Sequence, residues 1–304
     1  MKSFAGTLYG LNIHSDIQLP FCTPLDAAAP DISVELTTPL PLPFAAGHQV
    51  SQTHSCIQSP WFGRQTLQRS DSTMRLLVEP LQDVTSEHLI TFVLGSGLGS
   101  ALHWLDRLPL HGTAIATPRG AALFLGASGS GKSSLALLAA SCGVAVLSDD
   151  VIPLQRWDQQ WWVDPAHGRL KVDRGTAEAL GYPTTNLSTT APTISKLALS
   201  LPPESLGVRQ PVWRIYLLNA MVADEGTRHA VHRLQAVPLL TNQIYRLSTR
   251  RQLPAWASTL QDVASLALQA PVFQLQLPRV SATWPWMNYQ QWFRQWLSEQ
   301  LAVD

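Results

Sequence analysis

Nine consecutive residues of this chain have the order of a loop that binds phosphate. Gly126–Ser134 reads Gly-Ala-Ser-Gly-Ser-Gly-Lys-Ser-Ser and matches the pattern G-x-x-x-x-G-K-[ST]. Backbone N–H groups of such a loop surround phosphate oxygens, and the positive end of the next helix faces them. Lys132 would reach the β- and γ-phosphates of a nucleotide, and the Ser133 hydroxyl would bind Mg²⁺. The candidate nucleotide-binding residues are Gly126, Ala127, Ser128, Gly129, Ser130, Gly131, Lys132, Ser133 and Ser134.

The sequence on either side of the loop has the character that a phosphate loop requires. The preceding run, Ala121–Leu125, is apolar throughout and predicts a buried strand. The following run, Lys132–Ser141, is rich in helix formers, and Gly143 is placed to end the helix. This order of strand, loop and helix favours a nucleotide site over the alternative, an ordinary glycine-rich turn.

Two adjacent carboxylates follow the next apolar run. Asp149 and Asp150 come directly after Val144–Leu147, which predicts a strand. In an open α/β sheet the carboxyl ends of parallel strands meet at one edge, so we expect both side chains near the phosphate loop. One carboxylate there can hold Mg²⁺ and the other can accept a proton from an attacking hydroxyl. The alternative is that the pair forms a turn or caps a helix.

A histidine precedes the loop strand. His111 stands before Gly112 at the head of the strand predicted for residues 111–116. A single histidine is more often structural than catalytic, but near Asp149 it could orient that carboxylate or change its pKa.

The spacing of these three segments resembles the catalytic domain of the HPr serine kinase family. Lys132 lies 21 residues after His111 and 17 residues before Asp149. The resemblance implies an α/β fold with a P-loop kinase core, related to HPr kinase and phosphoenolpyruvate carboxykinase, and the use of ATP and Mg²⁺. It implies that Asp149 deprotonates an acceptor serine, with His111 as its neighbour and Lys132 on the phosphates. It also implies that Asp150 is a metal-binding or supporting group.

The chain departs from the bifunctional members of that family. We find no long glycine-containing signature segment with which the HPr kinase/phosphorylases bind HPr. The first third, including Leu8–Leu11 and Asp31–Val34, looks instead like HPr-kinase-related proteins encoded with lasso-peptide biosynthesis genes. Some of those proteins phosphorylate the C-terminal residue of a precursor peptide. The resemblance therefore implies an ATP-dependent serine kinase whose partner is a precursor peptide or a small protein.

Three alternatives to that function stay open. They are a non-catalytic, nucleotide-gated peptide-binding module, an HPr-type protein kinase, and a small-molecule kinase or carboxykinase-like enzyme. Binding of ATP without turnover on any peptide would favour the first.

Composition excludes several other classes. The 304 residues include 21 basic and 21 acidic side chains, and only 14% are charged, which argues against a broad nucleic-acid surface. Cys22, Cys56 and Cys142 give neither a metal spacing nor a disulfide framework. The first residues lack the apolar core of a signal peptide, and no apolar run is long enough to span a bilayer. We expect a cytoplasmic protein without nucleic-acid or membrane partners, and the resemblance suggests homo-oligomers.

The chain divides into two regions by composition. Residues 1–107 predict a small β-rich region with four short strands, assigned to substrate recognition, that ends in a helix over residues 86–104. Residues 108–304 predict the P-loop kinase catalytic domain. The loop Thr184–Thr193 could cover the site. A cation from a distant segment could complete it, and the candidates are Arg169, Lys171, Lys196, Arg246 and Arg250.

Overall fold

The computed structural model describes residues 3–25, 29–40, 46–70, 73–223, 227–254, 256–278 and 286–302. They form a mixed α/β fold with three sheets. The first sheet has eight strands in the order β3-β1-β2-β4-β8-β7-β6-β5. Its strands are β1 (Phe4–Leu8), β2 (Leu11–Ser15), β3 (Thr23–Pro24), β4 (Ile32–Leu36), β5 (Gly47–Val50), β6 (His54–Ser59), β7 (Gly63–Arg69) and β8 (Met74–Pro80).

This sheet is larger than the four strands expected from the sequence. β5 and β6 were missed because polar residues dominate both segments, Gly-His-Gln-Val and His-Ser-Cys-Ile-Gln-Ser. Along β6 only Ser55 and Ile57 are buried, so the strand has one covered face and one exposed face. Cross-strand pairing with β7 over its whole length, rather than hydrophobicity, defines it.

One continuous helical segment follows, as predicted for residues 86–104. It consists of α1 (Ser86–Phe92), a π-helical stretch (Val93–Leu98), α2 (Gly99–Ala101) and a 3₁₀ turn (Leu102–Trp104). Thr85 caps α1 by accepting a hydrogen bond from the backbone N–H of His88. A π-helical stretch inside an α-helix is rare and often marks a functional site.

The second sheet has seven strands in the order β10-β9-β11-β12-β16-β18-β17, and β16 also pairs in parallel with β10. Asp158 and Gln159 both have positive φ values and connect β11 to β12 in a tight hairpin. The strands are β9 (Leu108–Thr117), β10 (Gly120–Leu125), β11 (Val146–Trp157), β12 (Gln160–Val163), β16 (Gln210–Ala223), β17 (Thr227–Ala230) and β18 (Val272–Pro278).

Helices cover both faces of this second sheet. One core lies against α5 and α7 and takes Leu123, Leu125 and Ile215 from the strands. The other core lies against α3 and α8 and takes the alternating residues Phe124 and Tyr216. The helices are α3 (Lys132–Ser141), α4 (Arg174–Ala179), α5 (Arg233–Thr241), α6 (Leu247–Gln252), α7 (Trp256–Gln269) and α8 (Trp286–Ala302), with a 3₁₀ turn at Pro203–Ser205.

Three tryptophans of α8, Trp286, Trp292 and Trp296, pack into the second of these cores. Trp296 on α8 is buried and contacts the rings of Phe124 and Tyr216. Trp292 stacks on Trp296. Through Trp296, α8 packs against Phe124 of β10, the strand that leads into the phosphate loop.

A third, smaller sheet pairs β13 (Arg169–Val172) with β15 (Ile194–Ser200), which in turn pairs with β14 (Thr189–Ala191). The core of the N-terminal sheet extends into the rest of the chain. It includes Leu98 and Leu102 of the helical segment, and also Val151, Ala166 and Leu253.

Candidate active site

Strand register brings the predicted loop and the two carboxylates to one level. Leu125, the last residue of β10, pairs with Gly112 of β9, and Gly112 pairs on its other side with Asp150 of β11. The phosphate loop begins at the next residue after Leu125. Asp149 and Asp150 therefore lie level with the start of the loop, two strands away.

The strand that carries the two carboxylates differs from the one expected from the sequence. Asp149 and Asp150 do not follow a strand at Val144–Leu147 but lie inside the single long strand β11. β9 is antiparallel to both of its neighbours, so β10 and β11 run in the same direction with β9 between them. The register shifts between Val146 and Ser148, and Asp150 has a left-handed φ of 69°. A local irregularity of this kind redirects side chains within a strand.

The phosphate loop joins β10 to α3 and depends on glycine at two positions. Gly129 has φ 84° and Gly131 has φ 93°, a region that other residues rarely adopt. A Cβ at Gly129 would meet no atom within 4 Å, so the loop is open to the outside there. Gly131 is the N-cap of α3 and supplies no side-chain hydrogen bond, which leaves the first N–H groups of the helix for a ligand.

Lys132 lies inside the loop that it follows. Its side chain is 7% exposed, and Nζ donates to the carbonyl oxygens of Gly126 at 2.7 Å and Ala127 at 2.8 Å. Burial lowers the pKa of Lys132, and the nearby Asp149 carboxylate opposes that shift. The ammonium group is therefore held at the mouth of the loop by neutral carbonyl groups.

Asp149 is the most buried acid of the site, with 1% of its surface exposed. Its Oδ1 accepts hydrogen bonds from Thr113 Oγ1 at 2.5 Å and from Ser133 Oγ at 3.2 Å. Oδ2 makes no hydrogen bond of normal geometry within the described ranges, although the backbone of Lys171 lies near enough to lower the pKa slightly. Burial dominates and raises the pKa of Asp149.

Asp150 is held in the opposite state by an ion pair with Lys171 and a contact with His111. Its Oδ2 lies 2.6 Å from Nζ of Lys171, and its Oδ1 lies 3.5 Å from Nδ1 of His111. Burial raises the pKa of Asp150, but the attraction and hydrogen bond of Lys171 outweigh it and lower the pKa to about 2. The two adjacent aspartates thus differ: Asp149 is the stronger base and Asp150 stays ionised.

His111 contacts Asp150 rather than Asp149. Besides the Oδ1 contact, Nδ1 lies 3.1 Å from the backbone oxygen of Asp150, and the ring tilts against that of Tyr245. Burial, followed by the charge of Lys132, lowers the pKa of His111. Ser133 in turn contacts Asp149, so the two residues expected to hold the metal, Ser133 and Asp150, make no direct contact with each other in the part of the chain that is described.

We expect Lys171→Met to lower the free energy of unfolding by about 2 kcal/mol at pH 7, since removing one partner of a largely buried pair leaves Asp150 uncompensated. Folding lowers the pKa of Asp150 below its ordinary value of about 3.9. The stabilisation is therefore present above about pH 4 and is lost as the pH falls toward 2. Urea denaturation at pH 7 and at about pH 2 measures both effects.

The double variant Lys171→Met with Asp150→Asn is the control for this prediction. It removes both charges, so most of the lost stability at pH 7 should return. An unchanged stability of the single variant would show that the ion pair contributes nothing to folding.

The five distant cations proposed from the sequence separate into two groups. Lys171, Lys196 and Arg246 line the same cleft as the loop and the carboxylates. Arg169 instead pairs with Glu87 of α1, and Arg250 donates to Thr259 Oγ1 at 2.6 Å. Arg169 and Lys171 alternate with the buried Leu170 along β13, but only Lys171 contacts the carboxylates.

The cleft has a volume of about 650 Å³, and its second wall comes from the N-terminal region. The sequence reasoning missed that wall, whose lining residues are Phe62, Thr91, Phe92, Gly95 and Ser96. Phe62 stacks on Phe92 with ring centroids 5.1 Å apart. Gly95 lies in the π-helical stretch, and a Cβ there would come within 3.1 Å of the Tyr245 hydroxyl and 3.9 Å of Asp150 Oδ2.

One sequence signal could have pointed to this wall. The segment Gly95-Ser96-Gly97-Leu98-Gly99 places three glycines inside an otherwise apolar helix, which costs helix stability and implies close approach of another group. Arg246 is the group that reaches Ser96, donating to its Oγ at 2.5 Å.

Part of the loop predicted over residues 184–193 does border the site. Thr190 and Ala191 line the cleft, but Thr189–Ala191 form strand β14 of a hairpin rather than an irregular loop. Arg174 holds the start of this segment in place by donating a hydrogen bond to Thr184 Oγ1 at 2.7 Å.

The described fold was compared with known proteins. No family model matches the sequence, and no curated protein matches it. The structure of the HPr(Ser) kinase/phosphatase from Coxiella burnetii is similar to this chain with a TM-score of 0.33 and 13% sequence identity, over 63% of this chain and 97% of that one. Values this low assign neither a family nor an activity. Among the helices in the described ranges, none combines the length and apolar character needed to cross a membrane.

Proposed function

We propose that this chain is an ATP-dependent kinase that transfers the γ-phosphate to a hydroxyl group of a peptide or protein. The observation that carries the proposal is the common placement of the phosphate loop, Lys132 and the carboxylates Asp149 and Asp150 in one cleft. Phosphoryl transfer requires positioning of the phosphates, cancellation of their charge and a group that receives the acceptor proton. The cleft contains a candidate for each.

The residues present fit a nucleotide and Mg²⁺. The open loop and the uncapped N-terminus of α3 offer N–H donors to phosphate oxygens. Asp149 Oδ2 is a buried oxygen that makes no hydrogen bond of normal geometry with the described residues, and it lies next to the hydroxyl of Ser133. Mg²⁺ is usually bound by one or two carboxylates together with substrate phosphates, so a cluster of three acidic or histidine ligands is not needed. The described residues contain no such cluster.

The protein groups would divide the work as follows. The loop N–H groups and Lys132 bind the phosphates and neutralise their charge. Asp149, whose pKa is raised by burial, accepts the proton of the attacking hydroxyl. Lys171 keeps the Asp150 carboxylate ionised, and His111 orients it. A negative charge therefore lies next to the phosphates of the nucleotide. Mg²⁺, when bound by Ser133 and Asp150, would offset the negative charge of the phosphates.

The acceptor that we propose is a lasso-type precursor peptide, phosphorylated at its C-terminal residue. Residues 8–11 and 31–34 resemble HPr-kinase-related proteins encoded with lasso-peptide biosynthesis genes, and this resemblance supports the choice. The N-terminal wall with Phe62 and Phe92 gives an acceptor peptide an apolar surface beside the carboxylates. A non-catalytic, nucleotide-gated binding module is less well supported, because such a module has no need of a buried base with an unpaired oxygen.

Mass spectrometry of peptides incubated with the purified full chain and Mg-ATP tests the proposal. We expect a peptide that ends in serine to gain the mass of one phosphate, and the same peptide ending in alanine to stay unchanged. Binding of ATP without transfer to any hydroxyl peptide would contradict the kinase and favour the binding module.

A further inference from the structure

The small third sheet presents two lysines to the cleft. Lys171 of β13 pairs with Ala198 of β15, and Lys196 lies two residues from Ala198. Residues two apart on a strand point to the same face of a sheet. Lys171 and Lys196 therefore share one face, and both line the cleft with the phosphate loop.

The other cations of the cleft are already engaged. Lys171 pairs with Asp150, Lys132 donates to two loop carbonyls, and Arg246 donates to Ser96. Lys196 is half-buried and makes neither an ion pair nor a hydrogen bond with any residue that the structure describes. It is the cleft lysine whose charge is not yet compensated within those residues.

Lys196 also lies close enough to Lys132 for their charges to interact. After burial and Asp149, the positive charge of Lys196 is a cause of the lowered pKa of Lys132. Two ammonium groups that repel each other across a water-filled cleft become favourable partners when an anion lies between them. A phosphate group held by the loop next to Lys132 is such an anion.

We infer that Lys196 is a catalytic residue that contacts the terminal phosphate of the nucleotide, an inference that rests on the proposed function. During transfer the bond from the γ-phosphorus to the ADP oxygen breaks and the bond to the acceptor oxygen forms. The acceptor proton goes to Asp149, and the leaving electron pair stays on ADP. Lys196 stabilises the charge on the transferred group, together with Lys132.

The β14–β15 hairpin is suited to this role. The hairpin turns between Ala191 and Ile194, which both line the cleft, and Ile194 is 46% exposed at its tip. Lys196 lies two residues from that tip, so its side chain reaches the cleft from a strand rather than from an irregular segment. A strand holds a charged group in position better than a loop does.

Nucleotide binding to Lys196→Met tests the inference without relying on transfer. Calorimetry with Mg-ADP and with a non-hydrolysable Mg-ATP analogue separates contacts to the terminal phosphate from all others. We expect the variant to bind the analogue at least about tenfold more weakly and ADP within about twofold, the difference expected for one charge-assisted contact. Transfer should fall by about 100-fold. Lys196→Arg should keep most of the preference for the triphosphate.

Arg294→Met is the matched control. Arg294 lies on the exposed face of α8, outside the cleft, and its replacement removes the same charge. Its nucleotide affinities should stay unchanged.

Three outcomes would overturn the inference. Equal weakening of ADP and the analogue by Lys196→Met would assign Lys196 a general or structural role. Unchanged affinities would remove it from the site. If the wild-type chain binds neither nucleotide, the inference and the proposed function both fail. If the wild-type chain binds both but transfers no phosphate, the kinase proposal fails alone, and the affinity ratio still decides the role of Lys196.

Discussion

Asp149→Asn is expected to reduce phosphoryl transfer by about 10²–10⁴-fold while nucleotide binding changes little. Asparagine keeps the size of the side chain and an oxygen that accepts from Thr113 and Ser133. It removes the group that receives a proton. Because burial already raises the pKa of Asp149, loss of its charge should not destabilise the fold. Single-turnover transfer, nucleotide titration and urea denaturation measure the three quantities.

Asp173→Asn is the matched control for that experiment. Asp173 lines the same cleft and caps α4 by accepting from the backbone N–H of Thr176. Asparagine is an equally good N-cap, so both stability and transfer should persist. Full transfer by Asp149→Asn, together with its loss in Asp150→Asn, would assign the proton acceptor to Asp150 instead.

Lys132→Met should impair both nucleotide binding and transfer. We expect the rate of transfer to fall by about 10²–10³-fold and the nucleotide affinity to fall by at least about tenfold. The buried ammonium group has only the carbonyl oxygens of Gly126 and Ala127 as hydrogen-bond partners within the described residues. Phosphate oxygens are far stronger partners for a charge. Stability should change little, since loss of two hydrogen bonds is offset by relief of a buried charge.

Comparison of the two variants separates binding from chemistry. Asp149→Asn should bind nucleotide and fail to transfer, whereas Lys132→Met should fail at both. The Arg294→Met protein again controls for a change of net charge. If Lys132→Met binds the triphosphate as tightly as the wild type, the loop at Gly126–Ser134 does not bind phosphate.

Local sequence was sufficient to predict the strand and the helix on either side of the candidate phosphate loop. The strand expected at Ala121–Leu125 is observed as Gly120–Leu125, and the helix is observed at Lys132–Ser141 as expected. Here an apolar run, two obligatory glycines and a run of helix formers are all short-range signals. They agree with one another, so no distant contact is needed to choose the structure.

The setting of the carboxylates was only partly predictable. Their closeness to the loop was expected, but apolar runs on both sides of Asp149 and Asp150 predict two strands as readily as one. The long strand β11 forms because it pairs with β9 from Val146 to Leu154. The left-handed backbone of Asp150 is accompanied by its contacts with Lys171 and His111, which lie 21 and 39 residues away.

Contacts between distant segments lay beyond sequence reasoning. All five candidate cations have the same chemistry in the sequence, and only the positions of Glu87, Asp150 and Thr259 separate them. The N-terminal wall of the cleft was missed for the same reason. The stacking of Phe62 on Phe92 joins a turn between strands to a helix, a pairing that no local periodicity reveals.

The position of Val151 has a consequence for how this protein can change. Val151 belongs to the core of the N-terminal sheet, while Asp150, its neighbour in the chain, faces the cleft. Repacking that sheet therefore moves the backbone that carries an active-site carboxylate. The first hundred residues therefore cannot be exchanged alone, by evolution or by engineering, to give a new acceptor preference. A viable chimera must inherit Val151, Ala166 and Leu253 along with the sheet that they complete.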